Sequence, residues 1–343
     1  MFRVDLAADD VAAVRTFVRE LAGRYGSVED PEFLAQATTF AHELPRTLRT
    51  GLNRFRLEEP DGVCVVGGYQ VDQSRIGPTP AHWKDCKDNP ATLEEEIFFF
   101  LCGCLLGDPI GWATQQNGYL MHDIFPIKGH ENEQLGSGSE QLLTWHTEDA
   151  FHPLRTDYVG LMCLRNPDGV ETTYAVIDDV KLDDETSRLL REPRYPIRPD
   201  HSHLPRNKSA DARTIPGTEE LLQRSYEWIT RLDEQPERIE VLFGHPDSPY
   251  VRLDPYFMDT SVLDEDASAA LQTIIDEIDV VMTGCSLRPG DVLFIDNYKT
   301  VHGRKPFKAR FDGTDRWLKR INVARDPRKS RAARAAASAR VIF

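Results

Sequence analysis

The chain has 343 residues, of which 41 are basic and 56 are acidic, so its formal net charge at neutral pH is −15. With 40% hydrophobic and 28% charged residues, its composition is that of a folded globular protein and excludes global disorder. The acidic balance favours a small-molecule function without nucleic-acid or membrane partners. No apolar run reaches the length of a membrane-spanning helix, and six scattered cysteines predict a reducing, cytoplasmic setting without disulfides.

The first 60 residues have the periodicity of helices. Apolar residues recur at three- and four-residue spacing from Val11 to Leu21 behind two aspartates, which predicts a first helix. A second helical pattern runs from Phe33 to Leu52 and is closed by a glycine. The β-branched segment 62–71 predicts a strand, and three glutamates followed by an apolar run predict a helix ending at Cys104.

After residue 110 the pattern changes to short strand-like runs separated by Gly, Pro and Asp. Many short strands in one stretch favour a jelly roll, that is, a double-stranded β-helix, over a parallel α/β sheet. Helical insertions are predicted at about 219–232 and 265–282. We therefore expect one mainly β domain over residues 1–343, with flanking helices and a jelly-roll core at about 100–326.

Two segments are distinguished by composition alone. Residues 198–217 are polar and rich in breakers, which predicts a long loop within an insertion at about 195–235. Such loops are often lids over active sites, and a variable surface loop is an equal alternative. The Ala/Arg-rich segment 327–343 predicts a flexible, basic and solvated tail.

Two histidines are followed two residues later by a carboxylate, in the pairs His146/Glu148 and His245/Asp247. Chance alone gives one or two such pairs in this composition, so the context decides between them. The first pair lies in LLTWHTED, where strand alternation places both side chains on one face. The second flanks a proline in GHPDSP, a turn pattern, and we predict that it forms no site.

A third metal ligand is predicted at His302, just beyond the strand pattern DVLFIDN. Two histidines and one carboxylate form the facial triad of non-haem Fe(II) oxygenases, which leaves positions open for a bidentate co-substrate. Arg316 follows 14 residues later, and a guanidinium holds a carboxylate bidentately. Alternation places Arg316 and Arg320 on one face of a strand, which indicates two carboxylates to be held.

Four motifs in this order resemble those of the clavaminate synthase-like Fe(II)/2-oxoglutarate oxygenases. They are GWATQQNG (111–118), the HTED run, DPYFMD (254–259), and the pair DNYKTVHGRKPF and DRWLKR. The resemblance is closer to the branch that hydroxylates free arginine, lysine, asparagine or enduracididine in antibiotic biosynthesis. It implies a jelly-roll enzyme that uses Fe(II), 2-oxoglutarate and O₂, with His146, Glu148 and His302 as the iron ligands.

The resemblance also implies how 2-oxoglutarate binds and what the reaction is. Arg316 would bind the distal carboxylate, helped by the hydroxyl of Thr172 or Thr173. The substrate would be hydroxylated at C3 or C4, with release of succinate and CO₂. Glu148 disfavours halogenation, because related halogenases have a small residue there, whereas desaturation remains an alternative. A jelly-roll metal-binding protein without redox turnover is the alternative from another class.

The amino-acid substrate is assigned to a further set of residues by the same resemblance. Arg320 would hold the α-carboxylate, and Gln115 with Glu148 would receive the α-amino group. Asp254 would face a cationic side chain. Tyr256 stands where the arginine-hydroxylating relatives have a second acidic residue, so lysine and arginine both remain open as substrates.

Overall fold

The computed structural model describes residues 1–86, 89–205 and 215–343. Among the described residues, no helix is both long enough and apolar enough to cross a bilayer. The helices are α1 (Ala8–Ala22), α2 (Pro31–Ala41), α3 (Arg46–Glu58), α4 (Gln73–Ile76), α5 (Leu93–Cys104), α6 (Asp184–Leu190), α7 (Glu219–Glu234) and α8 (Glu265–Val281). The strands are β1 (Phe2–Asp5), β2 (Val63–Gly67), β3 (Asp108–Trp112), β4 (His122–Ile124), β5 (Leu143–His146), β6 (Tyr158–Arg165), β7 (Thr172–Val176), β8 (Tyr195–Ile197), β9 (Glu237–Ile239), β10 (Leu242–His245), β11 (Ser248–Val251), β12 (Thr283–Cys285), β13 (Val292–Asp296), β14 (Thr300–Arg304), β15 (Trp317–Ala324) and β16 (Val341–Ile342).

Two facing sheets form the core of the fold. The larger sheet has the strand order β1-β2-β13-β6-β15-β3-β16, with β4 also paired to β15, and the smaller has the order β12-β7-β14-β5. Aliphatic side chains from both sheets, such as Val65 and Leu293 from the larger and Val176 from the smaller, fill the space between them. The predicted jelly roll with flanking helices is confirmed.

The outer faces of both sheets are covered by helices. The N-terminal helices and α5 pack on the larger sheet through a cluster rich in phenylalanine, including Phe33, Phe99 and Phe294. Helix α8 packs on the smaller sheet through Leu271 and Ile274. The helices predicted at about 219–232 and 265–282 are present as α7 and α8.

The helix predicted from Phe33 to Leu52 is in fact two helices, α2 and α3. Pro45 is the N-cap of α3, where its missing N–H leaves no hydrogen bond unmade. Gly51 lies inside α3 and does not close it. A Cβ at Gly51 would lie 2.5 Å from a methyl carbon of Val4, so the glycine permits close packing of α3 on β1.

The C-terminal segment is not the free tail that its composition predicts. Pro327–Ala333 forms a 3₁₀ helix, and β16 pairs in parallel with β3. The Arg334 side chain is buried, and its guanidinium donates to the carbonyls of Ala337 and Ala339. Hydrogen bonds to backbone oxygens therefore fix a basic segment that its composition predicts to be solvated.

Of the predicted lid, residues 206–214 lie outside the described residues.

Candidate iron and substrate site

The two predicted histidine ligands lie opposite each other on neighbouring strands. His146 ends β5, and His302 in β14 is its direct partner in the antiparallel register. Glu148 follows β5, and its Oε2 lies 3.7 Å from Nε2 of His146 and 3.5 Å from Nε2 of His302. One donor atom from each of the three residues lies within 4.8 Å of the others. The structure thus brings the predicted triad together.

Two neighbouring residues fix the backbone around this triad. A Cβ at Gly303 would lie 2.5 Å from the carbonyl oxygen of Leu143, so only glycine lets β14 and β5 approach this closely. Buried Asn297 accepts a hydrogen bond from the N–H of Glu148 at 2.8 Å and donates to its carbonyl at 3.0 Å. Asn297 carries no recognisable sequence signal, because Asp-Asn pairs are common in turns.

The ionised Glu148 attracts positive charge to the triad, and a metal ion would replace the proton of His146, because only a neutral imidazole nitrogen ligates a metal. Nδ1 of His146 donates to the carbonyl of Thr144 at 2.8 Å, which leaves Nε2 facing Glu148. Burial lowers the pKa of His146, but its hydrogen bond to Glu148 and the charge of Asp254 outweigh burial and raise that pKa to about 9. Burial raises the pKa of Glu148, but Arg320 and the two imidazoles hold it well below its ordinary value. Two imidazoles beside an ionised carboxylate are the donor set of a facial-triad iron site.

Arg316 is a buried cation that lines the same cavity as the triad. Its guanidinium donates to the Thr172 hydroxyl at 3.4 Å, and its Nε has no hydrogen-bond partner within the described part of the chain. Desolvation lowers the pKa of Arg316 to about 10. A buried guanidinium with so few partners is expected to receive an anion from a ligand. Thr173 is adjacent to Thr172 on β7 and by alternation lies on the opposite face, so the structure brings only Thr172 to Arg316.

Arg320 occupies the centre of a polar network at the predicted amino-acid end. It donates to Oε1 of Glu148 at 2.5 Å and to Oε1 of Gln115 at 3.0 Å, and its guanidinium lies 2.8 Å from Nδ1 of His122. The Gln115 side chain in turn donates to the Ser202 hydroxyl at 2.8 Å. The structure therefore brings Gln115, Glu148 and Arg320 together, as predicted, and adds His122 and Ser202.

The part of the site that is predicted to face the cationic side chain of the substrate contains an acid that the sequence did not reveal. Asp254 is buried, and burial together with the nearby charge of Asp200 raises its pKa to about 7, against the opposing charge of His146. Asp200 lines the cavity. Tyr256 is 50% exposed, with its ring beside Phe257 and His201, so it does not occupy the place of a second buried acid. Asp200 followed by Ser202 looks in the sequence like an ordinary turn cap.

One cavity of about 510 Å³ joins these groups, a volume typical of small-ligand sites. Its wall contains the triad, Arg316 with Thr172, Arg320 with Gln115, and Asp200. His245 and Asp247 lie at the exposed end of the β10–β11 hairpin, where the Asp247 N–H donates to Nδ1 of His245. The prediction that this second pair forms a turn is confirmed.

Comparison with known proteins identifies what this arrangement is similar to. Residues 105–322 match the model of the family described as taurine catabolism dioxygenase TauD, TfdA family. The chain is 52% identical to the enduracididine beta-hydroxylase of Streptomyces hygroscopicus and 48% identical to the L-ornithine/L-arginine 3-hydroxylase of Catenulispora acidiphila. Both comparisons span the whole of each protein.

Solved structures of the non-heme iron oxygenase OrfP have the same fold. The structure with Fe, succinate and (3S)-hydroxy-L-Arg superposes with a TM-score of 0.91 at 45% identity, covering all of both chains. The structure with Fe and alpha-ketoglutaric acid superposes with a TM-score of 0.87 at 43% identity, covering 99% of this chain and all of OrfP.

Proposed function

The chain belongs to the TauD/TfdA dioxygenase family, and from this premise we propose that it hydroxylates C3 of a free L-amino acid with a guanidinium side chain. L-Arginine and a cyclic guanidino relative such as enduracididine are the substrates proposed. The enzyme class predicted from the motifs, an Fe(II)/2-oxoglutarate-dependent hydroxylase, is confirmed by the relatives and by OrfP. The carbon follows from the relatives named as beta- and 3-hydroxylases.

The iron and co-substrate end of the cavity is assigned to four side chains. His146, Glu148 and His302 would hold the iron, and Arg316 would bind the distal carboxylate of 2-oxoglutarate. When bound, the iron with 2-oxoglutarate and O₂ supplies the oxidising power that converts a C–H bond to C–OH and releases succinate and CO₂. The protein's own part is to orient both organic molecules and to keep water away from the reacting carbon.

The α-amino-acid end is assigned to Arg320, Gln115 and Glu148. The Arg320 guanidinium lies between Glu148 and Gln115 and has a buried Nε without a partner among the described residues. The α-carboxylate of the substrate would pair with this guanidinium. The α-ammonium would then lie close to Oε1 of Gln115 and the Glu148 carboxylate, which are acceptors. A thioester has no such carboxylate, which favours a free amino acid.

The side-chain end decides between guanidinium and ammonium substrates. Asp200 and Asp254 are close enough for the charge of one to raise the pKa of the other. A planar guanidinium donates through several N–H groups and can satisfy two carboxylates at once, whereas an ammonium is a compact charge that needs fewer fixed partners. Asp200 lines the cavity, whereas Asp254 is buried near it and is not among the lining residues. This pair of acids supports arginine over lysine, which the sequence left open.

The observation that carries the proposal is the buried, nearly unpaired Arg316 in the cavity that also contains the triad. A metal-binding protein without a diacid co-substrate has no need of such a group, so this observation disfavours the non-redox alternative.

The proposed setting is a reducing cytoplasm. All six cysteines are free and buried, and desolvation raises the pKa of Cys64, Cys104 and Cys163 to about 12, so reactive thiolates are scarce.

The experiment is a screen of free amino acids and enduracididine with Fe(II), 2-oxoglutarate and O₂. We expect arginine or enduracididine to stimulate succinate release and to gain one oxygen atom at C3, as measured by mass spectrometry and NMR. The matched control is His302→Ala, which removes a metal ligand. Because loss of a supporting contact alone costs about 10- to 100-fold, loss of a ligand is expected to cost more. Turnover by neither substrate, with iron bound to the wild type, would remove the proposal.

A further inference from the structure

A second, fully buried network lies behind the cavity and joins two of its walls. Asp149 directly follows Glu148 and has a left-handed backbone conformation, with φ of 51°. Its carboxylate accepts from Nε1 of Trp112 at 2.6 Å and lies 2.9 Å from Nε2 of His203. The side chains of Asp149 and His203 are only 2% and 1% exposed. Neither residue has a place in the reaction as described above.

The other ring nitrogen of His203 is also engaged. Nδ1 of His203 hydrogen-bonds the Thr114 hydroxyl at 2.7 Å. Because an ionised carboxylate only accepts, Nε2 carries a proton and donates to Asp149. Both nitrogens of a buried imidazole are thus fixed, and its ring packs against Trp112 and Phe151. His203 is therefore held in one position and one orientation relative to the turn that carries Glu148.

His203 ends a short 3₁₀ helix at the edge of the cavity. The helix spans His201–His203, with Asp200 as its N-cap accepting from the Ser202 N–H at 2.6 Å. Asp200 and Ser202 both line the cavity. The segment Asp200–Leu204 is thus tied to the site at two points, through His203 to Asp149 and through Ser202 to Gln115.

We infer that Asp149 and His203 are positioning residues for substrate recognition. Their buried hydrogen bond fixes the segment Asp200–Leu204 against the Glu148 turn. It thereby sets the distance between the carboxylate that meets the guanidinium and the residues that hold the metal. This inference rests on the proposed function. Since a shift of one bond length along the substrate changes which carbon is presented, the bond fixes both affinity and regiochemistry.

The test compares His203→Leu with His203→Gln. Leucine removes the donor to Asp149, whereas the side-chain amide of glutamine can restore an N–H close to the position of Nε2. We expect H203L to weaken L-arginine binding about 10- to 100-fold, the range for loss of a supporting contact, and H203Q to recover most of it. Calorimetry under anaerobic conditions measures binding of L-arginine, 2-oxoglutarate and Fe(II) separately. Only arginine binding is expected to change.

Product analysis separates a positioning role from a purely structural one, because a purely structural role would not change the ratio of products. H203L is expected to release more succinate per hydroxylated arginine than wild type, and to spread hydroxylation beyond C3. His152→Phe is the matched control, because the His152 ring packs on Trp112 and Trp228 in the same cluster and makes no hydrogen bond to the Asp149 carboxylate. The one hydrogen bond between the two residues joins their backbones, from the His152 N–H to the Asp149 carbonyl, and the variant keeps it. It is expected to keep the wild-type product ratio. Asp149→Asn is a second, isosteric variant if H203L does not fold, with the same change expected.

Two results would overturn the inference. One is wild-type arginine affinity and product ratio in both H203L and D149N. The other is parallel loss of iron, 2-oxoglutarate and arginine binding in both variants, which indicates a general structural role. A wild-type enzyme that hydroxylates no guanidino amino acid would instead overturn the proposed function itself, and the inference with it. That failure is visible before any variant is made.

Discussion

Two buried cations, Lys319 in β15 and Arg316 just before it, have opposite surroundings. Lys319 is 1% exposed, and its ammonium lies 2.6 Å from Oδ1 of Asp123 and 2.8 Å from Oε1 of Glu96. Burial alone lowers the pKa of Lys319, but these two carboxylates outweigh burial and raise it above its ordinary value. Arg316, just before the strand and on the cavity face, has no carboxylate within 4.0 Å among the described residues. Its pKa is lowered.

This difference is the one expected between Lys319, a cation that stabilises the fold, and Arg316, the cation that we propose binds a ligand. A structural charge in the interior is neutralised by partners within the same chain, because an unpaired buried charge is destabilising. A ligand-binding charge keeps its hydrogen-bonding capacity free, and its partner arrives from solution. We therefore expect methionine, which has a similar length, to lower the free energy of unfolding when it replaces Lys319. When it replaces Arg316, we expect it to weaken 2-oxoglutarate binding without loss of stability.

The largest expected effect is the loss of stability in Lys319→Met. Removing one member of a buried ion pair leaves Asp123 and Glu96 without their cation, which typically costs about 3–5 kcal/mol of unfolding free energy. Urea unfolding followed by circular dichroism measures this change. The control is Arg188→Met, because Arg188 is paired with Glu185 at the surface, and its loss is expected to leave the unfolding free energy nearly unchanged. Similar stabilities for the two variants would contradict the structural role of Lys319.

The next effect is the loss of 2-oxoglutarate binding in Arg316→Met without loss of stability. Truncating a desolvated partner of a ligand carboxylate typically costs about 2–5 kcal/mol, or roughly 30- to several thousand-fold in affinity. The free energy of unfolding without ligand is expected to stay equal or to rise, because an uncompensated buried charge is removed. Calorimetric titration with 2-oxoglutarate and urea unfolding of the same samples check both statements.

The matched variant for this prediction is Arg316→Lys, which keeps the charge and removes the planar fork. An intermediate loss of affinity is expected, since an ammonium binds a carboxylate as a point charge. If R316M binds 2-oxoglutarate as the wild type does, Arg316 is not the anchor. If it also unfolds more easily than the wild type, Arg316 belongs with Lys319 as a structural cation.

Most of the strand-built part of the site could be predicted from the sequence. Alternation correctly separates Arg316 and Arg320 from Lys319, because side chains on a strand point to the two faces in turn. The same rule predicted that His146 and Glu148 share a face. The two side chains do lie together, but β5 ends at His146 and Glu148 lies in the turn that follows it. The convergence of His146 with His302 comes from pairing of β5 with β14, which are far apart in the chain, and only the order of motifs indicated it.

The loop-built part of the site could not be predicted in this way. Asp200 lies in a breaker-rich segment without periodicity, so no local rule indicates that it lies near Asp254. The same applies to His203, whose partner Asp149 is 54 residues away. The sequence also predicted a free C-terminal tail, because composition records the charge of Arg334 but not the backbone carbonyls that bind it. Tertiary contacts of this kind decide loop positions, whereas strand faces follow from local pattern.

The smallest effect is expected from Asp200→Asn, which tests whether the loop-built end selects the guanidinium. Asparagine preserves the shape and the acceptor that caps the Ser202 N–H but removes the charge that we propose faces the substrate. A hydrogen bond to a charged group is worth about 1.5–3 kcal/mol, so kcat/KM for L-arginine is expected to fall roughly 10- to 150-fold. The value for any residual L-lysine turnover is expected to fall less, because an ammonium is a compact charge that needs fewer fixed partners. Equal losses for the two amino acids would show that Asp200 acts only through the position of its segment, and the choice of arginine would then have to come from Asp254 and the shape of the cavity.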